Sequence, residues 1–400
     1  MHAPRPAARA PLASPLADSA DSPADSSGDA AAGPVTGESL RTALAALLDG
    51  LPPKQAAQAV ERLIATYRGR TPTGAPVLRD RSDVAAYAAY RMPATFEAVR
   101  HALGALRAAA PHWVPASHLD IGGGTGAATW ATAATWADER RAGTVYDWAE
   151  PALALGRELA ADSGSAALRA VRWERRPIGA GFTLPEPADL ITVSYVLGEL
   201  TEADRETVVG AAADAGRVVA VVEPGTPEGY LRVLRARERL VAAGLRVLAP
   251  CPHSDACPIA PGGDWCHFAA RVSRSSLHRQ VKGGSLAYED EKFSYVVAAR
   301  PDVAGRAPEH RVVRHPQIRK GQVLLDLCAA DGELRREVVT KRRGALYRDA
   351  RDVAWGDGWP PAREPEPGAE AEPGPESGAE PESGSGSRSE SGPGSGPEEA

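Results

Sequence analysis

The chain has 400 residues, with 46 Lys and Arg against 52 Asp and Glu for a formal net charge of −6, 43% hydrophobic residues and only four cysteines. So few thiols, with no apolar leader, argue against a disulfide-built secreted scaffold. No stretch approaches the roughly 20 apolar residues of a membrane span, so a soluble, cytoplasmic protein is expected.

Residues 1–37 and 361–400 are tracts of Pro, Gly, Ser, Ala and Glu with almost nothing aliphatic to offset the entropy of ordering, and both read as disordered tails. The second carries ten Glu against Arg363 and Arg388, a net −8, which leaves the remainder of the chain at +2. The acidic overall balance therefore hides a mildly basic folded part. Residues 38–115 form a helical N-terminal region, because "SLRTALAALLDG" and "KQAAQAVERLIATYRG" space apolar residues by three and four around Pro52 and Pro53. The following "DVAAYAAYRMPATFEAVRHALGALRAAA" keeps that period, and Pro93 is predicted to open a helix after Met92.

Between residues 116 and 250 short apolar runs alternate with helical stretches: "ASHLDIGG", "GTVYDW", "ALRAVRW", "ADLITVSYVL" and "GRVVAVVEPG". Such alternation predicts an α/β fold with a doubly wound, mostly parallel sheet. Residues 251–360 hold a cysteine-rich loop and then "FSYVVAARP", "RVVRHPQ", "QVLLDLCAADGELRREVVT" and "ALYRDARD", read as the strands of a small β-rich C-terminal module.

In "HLDIGGGTGAATWA", Asp120 ends a strand and Gly122, Gly124 and Gly126 form the turn that opens a helix, where glycine permits positive φ and free N–H groups face a ligand. The G-x-G-x-G spacing differs from the dinucleotide fingerprint and resembles motif I of the class I S-adenosylmethionine-dependent methyltransferases. That resemblance implies cofactor contacts from Asp120, Gly122, Gly124 and Gly126, and a ribose-binding acid after the second strand, which falls on Asp147. A catalytic group is not identifiable. "DLITVSYVLGEL" offers Ser194, Tyr195 and Glu199 but lacks the Asn-Pro-Pro-Tyr type tetrapeptide of amino-group methyltransferases, and Glu199 also fits a helix N-terminal carboxylate.

Cys251, Cys257 and Cys266 are separated by five and eight residues in "CPHSDACPIAPGGDWCHF", and Cys328 follows in "VLLDLCAADG". All four thiols thus fall within one third of the chain, three in a loop with little core to bury them, and four donors close a metal site. Paired C-x2-C knuckles, the usual mark of structural zinc, are absent; wider loops with Cys-Pro steps favour a [4Fe–4S] cluster, with zinc as the alternative. Four protein ligands leave no open iron for radical chemistry. His253 and His267 read as neighbours of such a site. Arg271, Arg274, His278, Arg279 and Lys282 follow directly, and Arg271 to Arg348 holds 17 Lys and Arg against nine Asp and Glu, including "VVRHPQIRK" and "VVTKRRG". That density suits either a solvated basic face or a surface for phosphates.

In order, "LDIGGGTGAATWA", "YVLGEL", "VVEPGTPEGY", the cysteine loop, "RSSLHRQVKGG", "EDEKFSYVVAAR", Cys328 and "WGDGWP" resemble the methyltransferase-like seventeen family across about residues 40–360. The family comprises small-ribosomal-subunit assembly factors of mitochondria with bacterial relatives. The resemblance implies four cysteine ligands to a [4Fe–4S] cluster and binding to 16S-type rRNA of the immature subunit between head and body, with neither DNA nor membrane as partner. It leaves methyl transfer in doubt, and an active rRNA methyltransferase with a purely structural cluster or zinc is the other reading.

Overall fold

The computed structural model describes residues 34–47, 54, 57–62, 81–137, 140–275, 279 and 286–361. The expected tails therefore lie almost entirely outside the described residues. Helix α1 (Gly37–Leu47) starts with a reciprocal pair of bonds, Thr36 N–H to Ser39 Oγ at 2.9 Å and Ser39 N–H to Thr36 Oγ1 at 3.1 Å, and buries Leu40 and Leu44. Helix α2 (Arg81–Ala109) runs unbroken for 29 residues through Pro93, which was expected to open a helix. The helix is embedded in the core, with Phe96, Val99, Leu103 and Leu106 fully buried. Packing on several sides holds together what a proline would weaken in a solvated helix.

The main sheet uses β1 (Ser117–Ile121), β2 (Ala142–Asp147), β3 (Arg172–Arg175), β4 (Ala188–Ser194), β5 (Gly216–Pro224), β6 (Arg246–Ala249), β7 (Phe268–Ser273) and β8 (Tyr288–Ala299). Its order is β3-β2-β1-β4-β5-β8-β6, with β7 paired to the far half of β8. Strands β1 to β5 are mutually parallel, whereas β8 runs antiparallel to β5, β6 and β7. This is the strand order of the class I methyltransferase fold, as the glycine motif led us to expect. The sheet does not stop at residue 250, however. "FSYVVAARP", assigned to a separate module, is the inner half of β8 and pairs with Val218–Pro224. Its near-continuous apolar run is that of a strand covered on both faces.

Helices α3 (Ala127–Thr135), α4 (Glu150–Ala161), α5 (Ala166–Arg169), α6 (Glu202–Ala215) and α7 (Pro227–Ala242) connect the parallel strands. Side-chain caps define three of the starts: Ser165 for α5, Thr201 for α6 and Thr226 for α7 each accept an N–H two or three residues into the helix. Core residues divide between the two faces of the sheet, with α2 and Trp130 on one and Ile121, Ile191, Val193, Val219 and Val221 on the other.

The C-terminal module is a second, five-stranded sheet of β9 (His310–Val312), β10 (Gln317–Arg319), β11 (Gln322–Ala329), β12 (Leu334–Thr340) and β13 (Gly358–Trp359). Its order is β10-β11-β9-β13, with β12 on the free side of β11. "ALYRDARD", expected as a strand, is helix α8 (Ala345–Asp352). Leu346, Tyr347, Ala350 and Val353 recur at the helical period and close the core formed by Val323, Leu325, Leu327, Val339 and Trp359. Arg311, only 5% exposed, ties this sheet to the first by donating to Pro250 O at 2.7 Å and Gly356 O at 2.8 Å.

Candidate functional site

A cavity of about 820 Å³ opens at the carboxyl ends of β1, β2, β4 and β5, where open α/β sheets bind ligands. Among the residues that line it are Gly122, Gly124, Asp147, Trp148, Tyr195 and Glu199. Gly124 has φ +55°, and a Cβ added there would point into open space with Asp147 Oδ2 3.9 Å away. Its backbone is therefore laid bare to the cavity. Asp147 Oδ2 accepts from Gly124 N–H at 2.9 Å and Oδ1 accepts from Ala149 N–H at 2.8 Å, so one carboxylate orients the glycine loop and the turn after β2 together. Burial pushes this carboxyl up and the backbone donors pull it back.

Asp120 and Gly126, both expected at the cofactor, do not line the cavity. Asp120 is fully buried behind the loop, where it accepts from Thr192 Oγ1 at 2.8 Å and Thr129 Oγ1 at 3.3 Å. A side chain on Gly123 would strike its carboxylate, at 2.5 Å, so Asp120 supports the loop from beneath. Gly126 begins α3 and lies against the Trp173 ring, which a Cβ would meet at 2.6 Å. Burial pushes the Asp120 carboxyl up to about 7, against 3.8 ordinarily, with Asp147 adding to it after the two hydroxyls oppose it. Between those pH values the unfolded chain gives up a proton that the folded chain keeps. Stability contributed by this group is thus complete near pH 4 and lost as pH rises towards 7. Asp120→Asn is expected to gain on the wild type by a few kcal/mol between pH 4 and 7 in denaturant titrations; parallel pH curves would refute the assignment.

Sequence reasoning missed Trp148, Arg91 and Glu291. Trp148 directly follows the acid and exposes 49% of its surface at the cavity rim. Arg91, from α2, and Glu291, from β8, form one network with Tyr195, which follows β4. Arg91 Nη2 bonds Glu291 Oε1 at 2.8 Å, Tyr195 Oη donates to the same oxygen at 3.0 Å, and the guanidinium lies 5.2 Å from the Tyr195 ring centroid. Tyr195 has φ +57°, uncommon for an aromatic residue. The members of this network are up to 200 positions apart, and no local signal connects them. Buried Glu223 also lines the cavity and accepts from Leu197 N–H at 3.0 Å and Arg232 Nε at 2.6 Å. Partial burial, then the charges of Asp147 and Glu223, raise the Glu199 carboxyl to about 7, although the residue still reaches solvent through the cleft.

All four cysteines line one small, largely apolar cavity at the junction of the two sheets, together with Tyr230, Arg237, Tyr295 and Arg311. Tyr230 Oη donates to Ile259 O at 3.0 Å and lies 3.4 Å from Cys257 Sγ. Cys328 Sγ is 3.5 Å from His253 Nε2, Ser294 Oγ donates to Cys266 O at 2.7 Å, and Trp265 Nε1 donates to Gly225 O at 2.9 Å. His267 stacks on Trp265. Arg237 is 4% exposed and donates to His253 O at 3.1 Å, so the loop is wrapped around a buried cation. Burial pushes the Cys251, Cys266 and Cys328 thiols up, Cys328 to about 12, and Tyr295 Oη finds no partner among the described residues. Among the described residues, no three His, Cys, Asp or Glu side chains have the spacing to hold a metal ion. The loop and β11 thus bring the four sulfurs to one cavity without drawing them onto one point.

The basic residues expected to meet phosphate are largely engaged elsewhere. Arg271 pairs with Asp290 at 3.1 Å and lies over Tyr288, and Arg274, 13% exposed, pairs with Glu289 at 3.2 Å. Arg279 is exposed and donates to Arg274 O. His278 and Lys282 lie outside the described residues.

A family model described as Mitochondrial small ribosomal subunit Rsm22 matches residues 81–360. The human mitochondrial ribosome assembly protein METTL17 is 31% identical over 291 residues, covering 68% of this chain and 61% of that protein. The mitochondrial ribosome assembly protein RSM22 of Saccharomyces cerevisiae is 24% identical over 179 residues, 29% of this chain and 28% of its own length. The chain therefore spans about three fifths or less of these relatives. Among solved structures, the glycopeptide N-methyltransferase MtfA with S-adenosyl-L-methionine is 14% identical over 46% of this chain and 81% of its own, with a TM-score of 0.29. Since the family match covers well over half of the sequence, running from α2 through both sheets to β13, the chain belongs to the Rsm22 family of mitochondrial small ribosomal subunit proteins.

Proposed function

We propose that this chain is a small-ribosomal-subunit assembly factor that binds 16S-type rRNA of the immature subunit, uses its methyltransferase fold as a scaffold, and carries a [4Fe–4S] cluster on Cys251, Cys257, Cys266 and Cys328. The family match, which takes in both the glycine-loop sheet and the module bearing Cys328, carries the reading. The donor set fits the group: four thiols around one cavity and not on one point suit ligands to separate irons, two buried arginines balance the negative charge of a thiolate-ligated cluster, and the unpartnered Tyr295 hydroxyl offers a donor to sulfur. Zinc is the alternative occupant. When bound, the cluster would supply ligation that joins the 251–266 loop to β11.

S-adenosylmethionine is the ligand proposed for the larger cavity, where Gly122, Gly124 and Asp147 form the cradle and Trp148 offers a flat apolar surface beside it. When bound, it would bring a cationic, methyl-bearing sulfonium, which suits a wall holding Asp147, Glu199 and Glu223. After β4, Tyr195, Arg91 and Glu291 satisfy one another, so none of these three is free to take a proton from an incoming amine. That arrangement favours a scaffold. One observation supports an active enzyme instead: Glu199 faces the cavity with its carboxyl raised into the range of a general base.

The deciding measurement is co-sedimentation of anaerobically purified protein with small-subunit particles, paired with iron analysis. Association that disappears when the metal is removed supports the reading. Equal association of metal-free protein, or a colourless protein with one zinc, would overturn the cluster part. Methyl incorporation into rRNA that is lost in Glu199→Gln would establish the enzyme.

A further inference from the structure

The charge of the basic C-terminal third is not spread evenly. Five of its arginines are neutralised by a neighbouring carboxylate, Arg271 by Asp290, Arg274 by Glu289, Arg314 by Asp264, Arg335 by Asp331 and Arg336 by Asp326, and buried Arg311 is held by backbone carbonyls. Five other cations behave differently. Arg319 and Lys320 end β10 and enter its turn; Lys341, Arg342 and Arg343 follow β12.

The sheet brings these two runs together. Arg319 pairs with Gln322 across the β10–β11 hairpin, Gln322 pairs with Thr340 on β12, and Lys341 N–H donates to Gly321 O at 3.0 Å. Two runs separated by about twenty positions thus share one corner of the module. All five side chains are exposed, and among the described residues none has a carboxylate within ion-pair distance; Arg319 meets only the Gln317 amide, at 3.0 Å. The adjoining Ile318 is 59% exposed. Just past the corner, α8 begins at Gly344 without a side-chain cap and without an acid in its first turn. Five cations this close repel one another, and an external anion seated on the corner would relieve that repulsion. Their spacing along a hairpin end suits a chain of phosphates, and exposed Ile318 offers apolar contact to a sugar or base.

We propose that this corner, Arg319, Lys320, Lys341, Arg342 and Arg343, is the principal phosphate-binding surface of the protein and grips an RNA backbone, in place of the ion-paired Arg271 and Arg274. The inference rests on the RNA-binding reading above and locates it. The corner lies at the Gln322 end of β11 and Cys328 six positions further along that strand, and none of the five cations lines the thiol cavity, so the inference can be tested with the cluster intact.

The test is fluorescence anisotropy of a labelled hairpin RNA with the full metal-loaded chain across a salt series. The wild type is compared with the triple variant Lys341→Gln, Arg342→Gln, Arg343→Gln and with Arg271→Gln. All four positions are exposed, and circular dichroism checks the fold. In the triple variant affinity should fall at least tenfold at moderate salt, and the slope of log K against log salt should flatten by about 2, at roughly 0.7 for each phosphate no longer neutralised. Arg271→Gln should leave both nearly unchanged. A triple variant that keeps the wild-type affinity and slope would overturn this surface while leaving RNA binding intact. A wild type that binds no RNA sinks the RNA-binding reading itself. Tighter binding of the wild type to vesicles rich in anionic lipid than to RNA, abolished in the triple variant, would assign the corner to a membrane surface instead.

Discussion

Cys328→Ser is expected to yield protein with several-fold less iron and little visible absorbance, and a melting temperature lowered by about 4–8 °C, the equivalent of at least about 2 kcal/mol. Cys328 is 7% exposed on β11, opposite Arg311 on one side and Leu334 on the other. It is the sole thiol contributed by the second sheet, whereas Cys251, Cys257 and Cys266 come from the loop after β6. On the proposed cluster reading, its loss would break the one ligation that spans the two sheets. Ser has nearly the same volume, so a packing defect would show equally in metal-free protein. Metal-free wild type and metal-free variant should therefore melt together. Retention of full iron, or an identical loss of stability without metal, would refute the role.

Gly124→Arg should lower the affinity for S-adenosylmethionine, measured by calorimetry, by more than 100-fold, equivalent to at least about 2.7 kcal/mol. Two effects act together. Residue 124 has φ +55°, a conformation that costs a non-glycine residue roughly 1–2 kcal/mol. An arginine there also places its bulk and charge in the cradle beside Asp147. Gly124→Ala separates the two, since it retains the strain but not the bulk, and should lose only about tenfold. Undiminished ligand binding in Gly124→Arg would show that the cavity is not the cofactor site. Under the scaffold reading, association with small-subunit particles should survive this change; under the enzymatic reading, rRNA methylation should not.

The two sites were legible to different degrees. The glycine loop could be read because its requirements are local: positive φ at Gly124 and a tight turn out of a strand are written in consecutive residues. The roles of Asp120 and Asp147 were harder to separate. Both are acids at strand ends, and only the register of β1 against β4, which sets Asp120 opposite Thr192, turns the first into a buried support. The thiols stood out by scarcity and clustering, yet sequence could not show that Tyr230, Arg237, Tyr295 and Arg311 surround them. Charge misled most. Arg271 and Arg274 stand out in the sequence because they follow the cysteine loop, but their partners Asp290 and Glu289 lie across a strand pair that linear spacing does not reveal.

What the sequence by itself determined was the set of local decisions: the helical period of the N-terminal region, the strand and helix alternation, and the glycine turn. Each depends on residues within a few positions of one another, so short-range sterics and periodicity suffice. Tertiary structure alone decided that β8 enters the main sheet between β5 and β6, that Pro93 sits within a continuous helix, and that "ALYRDARD" closes a core as a helix. It also decided which charges are cancelled and which remain free, because ion pairing and desolvation depend on distance in space, and register sets that distance between residues up to 200 positions apart.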